Sequence, residues 1–202
     1  MTRIVVTEFV SLDGVMEEPR WTFDFDRGKE GDQFKYEELF DAESLLLGRV
    51  TYQGFAAAWP GMGGDDFGQR MNNIHKYVVS STLTDAEAAW GPTTVLRGEV
   101  AAEVAALKAQ PGDGNLLVEG SAQLVHTLAQ HGLVDEYRLM VFPVILGQGK
   151  RTFPDSMPAP AKLTIADSRT VGSGVLLLTL APCCSGAATS SRQPGQGAVP
   201  RR

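Results

Sequence analysis

A chain of 202 residues can bury one core of ordinary size and is short for two. Hydrophobic residues make up 43% and charged residues 21%, the balance of a globular domain. The formal net charge of −6 argues against a nucleic-acid partner, which needs clustered Lys and Arg, but not against a small phosphate-bearing molecule, which needs only one local positive field.

Cys183 and Cys184 are adjacent and are the only cysteines, so no disulfide framework follows and a reducing cytoplasm is the natural compartment. Met1 to Val6 moves straight into a strand pattern without the apolar core of a signal peptide. No apolar run approaches the roughly 20 residues of a membrane span. The expectation is a soluble cytoplasmic protein with no membrane partner.

Ile4 to Val10 is a β-branched run that predicts a buried strand, closed by the turn Ser11-Leu12-Asp13-Gly14. An acidic loop leads to a short helix over Gln33 to Asp41. Ser44 to Leu47 predicts a second buried strand ending at Gly48-Arg49, and Val50 to Ala58 the next helix. Trp59 to Gly68 is rich in glycine and predicts an irregular loop. Strands follow at Lys76 to Ser81 and Thr93 to Leu96. Val100, Val104 and Leu107 then share one helical face, and Pro111-Gly112 stops that helix.

Asn115 to Glu119 is again a strand. Ser121 stands at an N-cap position, Leu124, Val125 and Leu128 form an apolar face, and Gly132 follows the helix end. From Asp135 onward strands dominate: a long one over Glu136 to Leu146, then Ala161 to Ser168 and Gly174 to Leu180, the last two joined by the turn Val171-Gly172-Ser173. Strand-helix alternation predicts parallel crossovers, and a terminal run of strands predicts antiparallel additions at one edge. The fold class is therefore α/β, a mixed and mostly parallel sheet with helices on both faces. Residues 1–181 read as one domain. Residues 182–202 are mostly Ser, Gly, Ala, Pro, Gln and Arg with almost nothing to bury, and predict a disordered tail.

Ligands of open α/β sheets bind beyond the carboxyl ends of the strands. Three segments stand there. Gly48, Arg49 and Thr51 combine close backbone approach, a fixed positive charge and a hydroxyl at a helix start. Gly120, Ser121, Ala122 and Leu124 form a second strand-to-helix turn suited to pyrophosphate. Each turn alone reads equally well as an ordinary capped helix, whereas two at equivalent strand ends point to one ligand. Ser80 and Ser81 form a hydroxyl cluster that, with Arg49, could hold a ribose 2′-phosphate, favouring NADPH over NADH. The G-x-G-x-x-G fingerprint of the Rossmann unit is absent.

The ordered set Val6 to Gly14, Leu47 to Tyr52, Leu117 to Ser121, Leu133 to Glu136 and Pro143 to Gly149 resembles the dihydrofolate-reductase-like family, in particular the C-terminal reductase domain of the bifunctional riboflavin-biosynthesis deaminase/reductase. The likeness covers nearly all of residues 3–181. It implies a three-layer fold with NADPH across the strand ends. Gly48, Arg49 and Thr51 match phosphate-holding positions, Ser80 and Ser81 the adenosine-phosphate end, and Gly120 to Leu124 the pyrophosphate turn. The loop of Leu12, Asp13 and Gly14 matches the segment that closes over the nicotinamide. The family commonly forms homodimers.

Two departures stand out. Many relatives carry Gly-Gly where this chain has Gly120-Ser121, and a positive φ at Ser121 would be strained. The zinc-deaminase half is missing, and His75, His126 and His131 have no ligand spacing, so no metal is expected. His126 and His131 read as surface residues on or at the end of a helix. Glu37, Glu38 and Asp41 lie in the helix that carries the catalytic carboxylate of true dihydrofolate reductases, without a clear match.

The implied reaction is hydride transfer to a polar C=N or C=O bond of a small heterocyclic or carbonyl substrate. Glu119, beside the pyrophosphate turn, is the first candidate proton donor or substrate contact, and Asp13 the second. Trp21, Phe55 and Trp59 could wall the substrate pocket or anchor the core. Two alternatives remain open: reduction of 5-amino-6-(5-phosphoribosylamino)uracil in riboflavin biosynthesis, or a non-catalytic dimeric nucleotide-binding protein.

Overall fold

The runs of β-branched and leucine residues assemble side by side. In a computed structural model that describes residues 1–111 and 114–183, they form an eight-stranded sheet of order β4-β3-β2-β5-β1-β6-β8-β7. β1 (Arg3–Ser11), β2 (Ala42–Gly48), β3 (His75–Val79), β4 (Thr93–Leu96), β5 (Asn115–Glu119) and β6 (Glu136–Phe142) run parallel to one another. β8 (Val175–Pro182) pairs antiparallel with β6, and β7 (Leu163–Val171) antiparallel with β8. The mixed, mostly parallel three-layer α/β fold is as expected, antiparallel edge included.

Side-chain alternation along β1 divides the core in two, as a pleated strand must. Ile4, Val6 and Val10 face a cluster built with Val104 and Leu107 of α4 (Val100–Ala109) and Leu124, Val125 and Leu128 of α5 (Ala122–Gln130). Val5 faces the other side, with Leu39 of α1 (Gly28–Asp41), Tyr52 of α2 (Arg49–Ala58) and Met71 of α3 (Asp66–Asn73). Helices thus cover both faces, and the strand ends are left for the loops.

Several boundaries differ from expectation, each for a local reason. α1 starts at Gly28 rather than Gln33, because the Asp26 carboxylate accepts from Gly28 N at 2.7 Å and begins the turn early. The stretch Trp59 to Gly68 is not irregular throughout. It holds a short 3-10 turn, Trp59–Met62, and the start of α3. Its glycine content hid this: a Cβ on Gly68 would lie 1.9 Å from the Met62 carbonyl oxygen, so that glycine serves helix packing. β6 stops at Phe142 rather than Leu146, since Pro143 cannot donate to the ladder. β7 begins and ends later than predicted and carries a bulge between Ile165 and Asp167.

β8 extends through Pro182, and Cys183 N donates to Lys162 O at 2.9 Å. The rest of the expected tail, Cys184 included, lies outside the described residues. No helix among the described residues is long and apolar enough to cross a membrane. One core residue is unusual. Lys76 on β3 is fully buried, donates to Asn72 O at 2.8 Å and lies 4.2 Å over the Trp90 ring. Burial pulls its ammonium down to about 8.

Candidate functional site

β2 and β5 are sheet neighbours, so the turns that follow them meet at one end of the sheet. A Cβ on Gly48 would lie 2.4 Å from both Cβ and Oγ of Ser121, and one on Gly120 would lie 2.9 Å from Thr51 Cγ2. The two predicted phosphate turns therefore pack directly on one another, with α2 leaving toward one face and α5 toward the other. Only glycine at positions 48 and 120 permits so close an approach.

The helix starts differ in how their amides are satisfied. α3 is capped by Asp65, whose side chain accepts from Gly68 N, and α4 by Glu99, which accepts from Ala101 N and Ala102 N. α2 and α5 have no side-chain cap. Ser121 occupies the N-cap position of α5 but does not cap it. Its φ of 66° and ψ of 95° turn the hydroxyl away from the helix amides, and the positive φ anticipated as strain is present. Two uncapped helix N-termini side by side form a positive, donor-rich cradle. Arg49 is exposed and bonds Gln53 at 3.0 Å, while Thr51 is half-buried against Gly120. Ala122 and Leu124 are buried, so at these positions only backbone could face a ligand.

Ser80 and Ser81 part company. Ser80 is buried and its Oγ accepts from Thr82 N at 3.1 Å and Leu83 N at 2.9 Å, so this hydroxyl closes a turn. Ser81 is exposed. Arg49 lies beside the same loop: the Glu87 carboxyl is lowered chiefly by hydrogen bonds from Thr84, with Arg49 adding to the effect.

Leu12, Asp13 and Gly14 form the expected turn, with Gly14 at φ 87° and Gly14 N bonded to Ser11 O. Asp13 is not suited to proton donation. Its carboxylate accepts from Ser11 Oγ at 2.7 Å, Leu146 N at 3.1 Å and Gly147 N at 2.8 Å, which hold it down to about 2. Ionised at neutral pH, it has no proton to give. It instead latches the turn to the loop after β6, as do Leu12 N to Val144 O and Arg151 to Asp13 O.

The acid chemistry gathers elsewhere. Thr7 and Glu119 are register partners on β1 and β5, pointing to the α1 face. There Lys35 spends its three N–H groups on Thr7 Oγ1 at 3.3 Å, Glu119 Oε1 at 3.2 Å and Glu38 Oε1. Thr7 Oγ1 in turn donates to Glu38 Oε1 at 2.7 Å. Glu38 is 1% exposed, and its Oε2 has no hydrogen-bond partner among the described residues. Burial raises the Glu38 carboxyl, with Lys35 pulling the other way. Burial pushes Lys35 down, but Glu38 and Glu119 more than offset this and hold it charged. Glu119, with 14% of its side chain exposed, is the carboxylate nearest the cradle in sequence, one residue before Gly120.

Glu8 is a third carboxylate and was missed in the sequence. It is 8% exposed, accepts from Gly120 N at 2.8 Å, and burial lifts it to about 8. The available signal was an acid inside an otherwise apolar strand run, which nearly always marks a partnered or functional group. Lys35 was missed as well, although Lys35 and Glu38 are three apart on α1 and so share a face. Glu37 and Asp41 are exposed and play no part in the cluster. Trp21 packs edge-on against Phe142, and Phe55, Trp59, Phe67 and Trp90 form an aromatic group in the core. These aromatics are anchors.

The comparisons with known proteins identify the family and the fold. The family model described as the RibD C-terminal domain matches residues 2–177. The YyaP protein of Bacillus subtilis (strain 168) is 29% identical over 178 residues, spanning 86% of this chain and 92% of its own. A candidate riboflavin biosynthesis protein from Shewanella sp. PV-4 superposes with a TM-score of 0.71 at 19% identity, over 90% of this chain and 99% of that one. Saccharomyces cerevisiae Rib7, a riboflavin biosynthesis reductase, gives 0.57 at 16% identity, with 90% of each chain covered.

Proposed function

Because the chain belongs to the RibD C-terminal domain family, a family of reductase domains, we propose that it is an NADPH-dependent reductase of a small heterocyclic or carbonyl substrate. The observation that carries this reading is the pair of uncapped helix starts packed together at Gly48 and Gly120, within one residue of the Glu119–Lys35–Glu38 cluster.

The residues fit the cofactor. Uncapped amides of α2 and α5, with Arg49 and Thr51, would hold its phosphates, and Arg49 with Ser81 the adenosine end. NADPH, when bound, supplies the hydride. The chain supplies the rest. Glu119 contacts the substrate from the strand end. Lys35, held charged by two carboxylates, fixes Glu119 and Glu38 in place. Glu38 Oε2, buried and without a partner among the described residues, is the atom at which a proton is held for the product. The latched turn of Leu12, Asp13 and Gly14 shapes one wall of the site.

Reduction of the phosphoribosylamino-uracil of riboflavin biosynthesis is the second reading, favoured by the names of the solved relatives. Against it, the cluster beside the cradle has two carboxylates to one lysine, with no spare cation for a substrate phosphate.

Thermal melting with NADPH tests the cofactor. At a hundredfold excess over Kd, a gain of about 2.7 kcal/mol and a Tm rise of roughly 5–10 °C are expected. No rise with NADPH, alongside a rise with a flavin or free nucleotide, would sink the proposal. Loss of NADPH absorbance against dihydrofolate, pterins and the phosphoribosylamino-uracil then separates the substrates.

A further inference from the structure

Glu8 takes no part in the cluster just described, because strand alternation turns it to the opposite face of the sheet. Thr7 and Glu119 point toward α1, whereas Glu8 points with Val6 and Val10 toward α5. There its Oε1 receives the amide hydrogen of Gly120 at 2.8 Å. Gly120 and Ser121 have consecutive positive φ values of 69° and 66°, so the turn is held in one unusual shape, and Glu8 is the side chain that grips it from below. Thr51 packs on it from the other wall.

Among the described residues no cation is bonded to Glu8, and only Lys35 offsets its charge from a distance. Across β5 stands Glu119, and from α1 come Glu38 and Lys35, all of which act on Glu8 through space. Lys35 has spent its three N–H groups on Thr7, Glu38 and Glu119. The β6 residue opposite Glu8 is Leu139, and α5 carries only His126, which bonds Arg151 O at 2.8 Å. Arg49 opens α2 on the far wall of the cradle, paired with Gln53.

We infer that Glu8 is a positioning residue that gates the phosphate cradle by its charge: neutral Glu8 supports the Gly120–Ser121 turn for a phosphate, and ionised Glu8 opposes the phosphate from one hydrogen bond away. The inference rests on the NADPH reading of the cradle. In either state Oε1 can accept from Gly120, so the turn keeps its shape while only the electrostatics change. A carboxylate as buried as Glu8, 8% exposed, repels a phosphate beside it more strongly than it would in bulk water. Binding in the range where free Glu8 is ionised therefore takes one proton from solvent onto Glu8. Burial places that range above about 8.

The test is the NADPH dissociation constant from pH 7 to 9.5, where the cofactor phosphates, with second pKa near 6, are already ionised. In the wild type, affinity should fall by up to about thirtyfold across that interval if only the neutral form binds. Glu8→Gln, which keeps the acceptor and cannot ionise, should bind at pH 7 within about twofold of wild type and show a flat profile. Lys76→Met removes a second group that titrates near the same pH, brought down to about 8 in the distant core, and should keep the wild-type slope. Calorimetry at pH 9 in buffers of different ionisation enthalpy should show uptake of close to one proton by the wild type and none by Glu8→Gln. A pH slope in Glu8→Gln equal to wild type, or loss of the slope in Lys76→Met alone, overturns the inference. Failure of all three proteins to bind NADPH at pH 7 overturns the cofactor reading instead.

Discussion

Helices α3 and α4 begin under an acidic cap, whereas α2 and α5 begin bare. Asp65 and Glu99 each spend a carboxylate on amides of their own helix. Those starts are satisfied, and their charge would repel a second anion. At Gly48 and Ser121 the same amides carry no cap, and the two starts lie against one another. An uncapped helix start costs about 1 kcal/mol of stability relative to a capped one. Two such starts meet at the centre of the sheet, a cost that a bound phosphate would offset under the proposed reading.

The contrast can be broken most forcefully by making α5 resemble α3. Ser121→Asp would place a carboxylate at the bare start, and NADPH affinity should fall about a hundredfold or more through like-charge contact. The melting curve without cofactor should show a folded protein. Retained affinity would mean that the phosphates do not lie there.

Next in size is Gly48→Ala. Its new Cβ would lie 2.4 Å from the Ser121 side chain, forcing the turns apart, and affinity should fall about tenfold. The clash is with Cβ and Oγ of Ser121, the Cα being 3.9 Å away. The double variant Gly48→Ala with Ser121→Gly should therefore recover most of the loss, and no recovery would show that Gly48 acts some other way.

The smallest effects compare the caps themselves. Asp65→Ala should lower stability by about 1 kcal/mol in urea unfolding and leave NADPH affinity alone. Ser121→Ala should change stability by less than about 0.5 kcal/mol, because no cap bond is lost. Equal losses in the two variants would erase the distinction between bare and capped starts.

The Gly48 and Gly120 turns were legible because glycine after a buried strand and before a helix is a local pattern. Ser121 shows the limit of such reading. Its residue type and position indicate an N-cap, yet the turn imposed by Gly48 and Thr51 gives it a positive φ that aims the hydroxyl elsewhere. Asp13 shows the same limit in reverse. An acid in a loop over the site suggests proton chemistry, but amides of residues 133 and 134 positions away consume both its oxygens. Ser80 likewise turns its hydroxyl inward onto its own loop.

The sequence alone determined the order of strands and helices apart from α3, the mixed sheet and the two glycine turns, because periodicity, turn residues and helix punctuation act over a few neighbours. Tertiary structure decided what those turns face and which acids matter. Glu8, Lys35, Glu38 and Glu119 come from β1, α1 and β5, and a carboxyl group's proton affinity depends on burial and on charges brought across the fold. Neither quantity exists until the strands pair and α1 settles on the sheet.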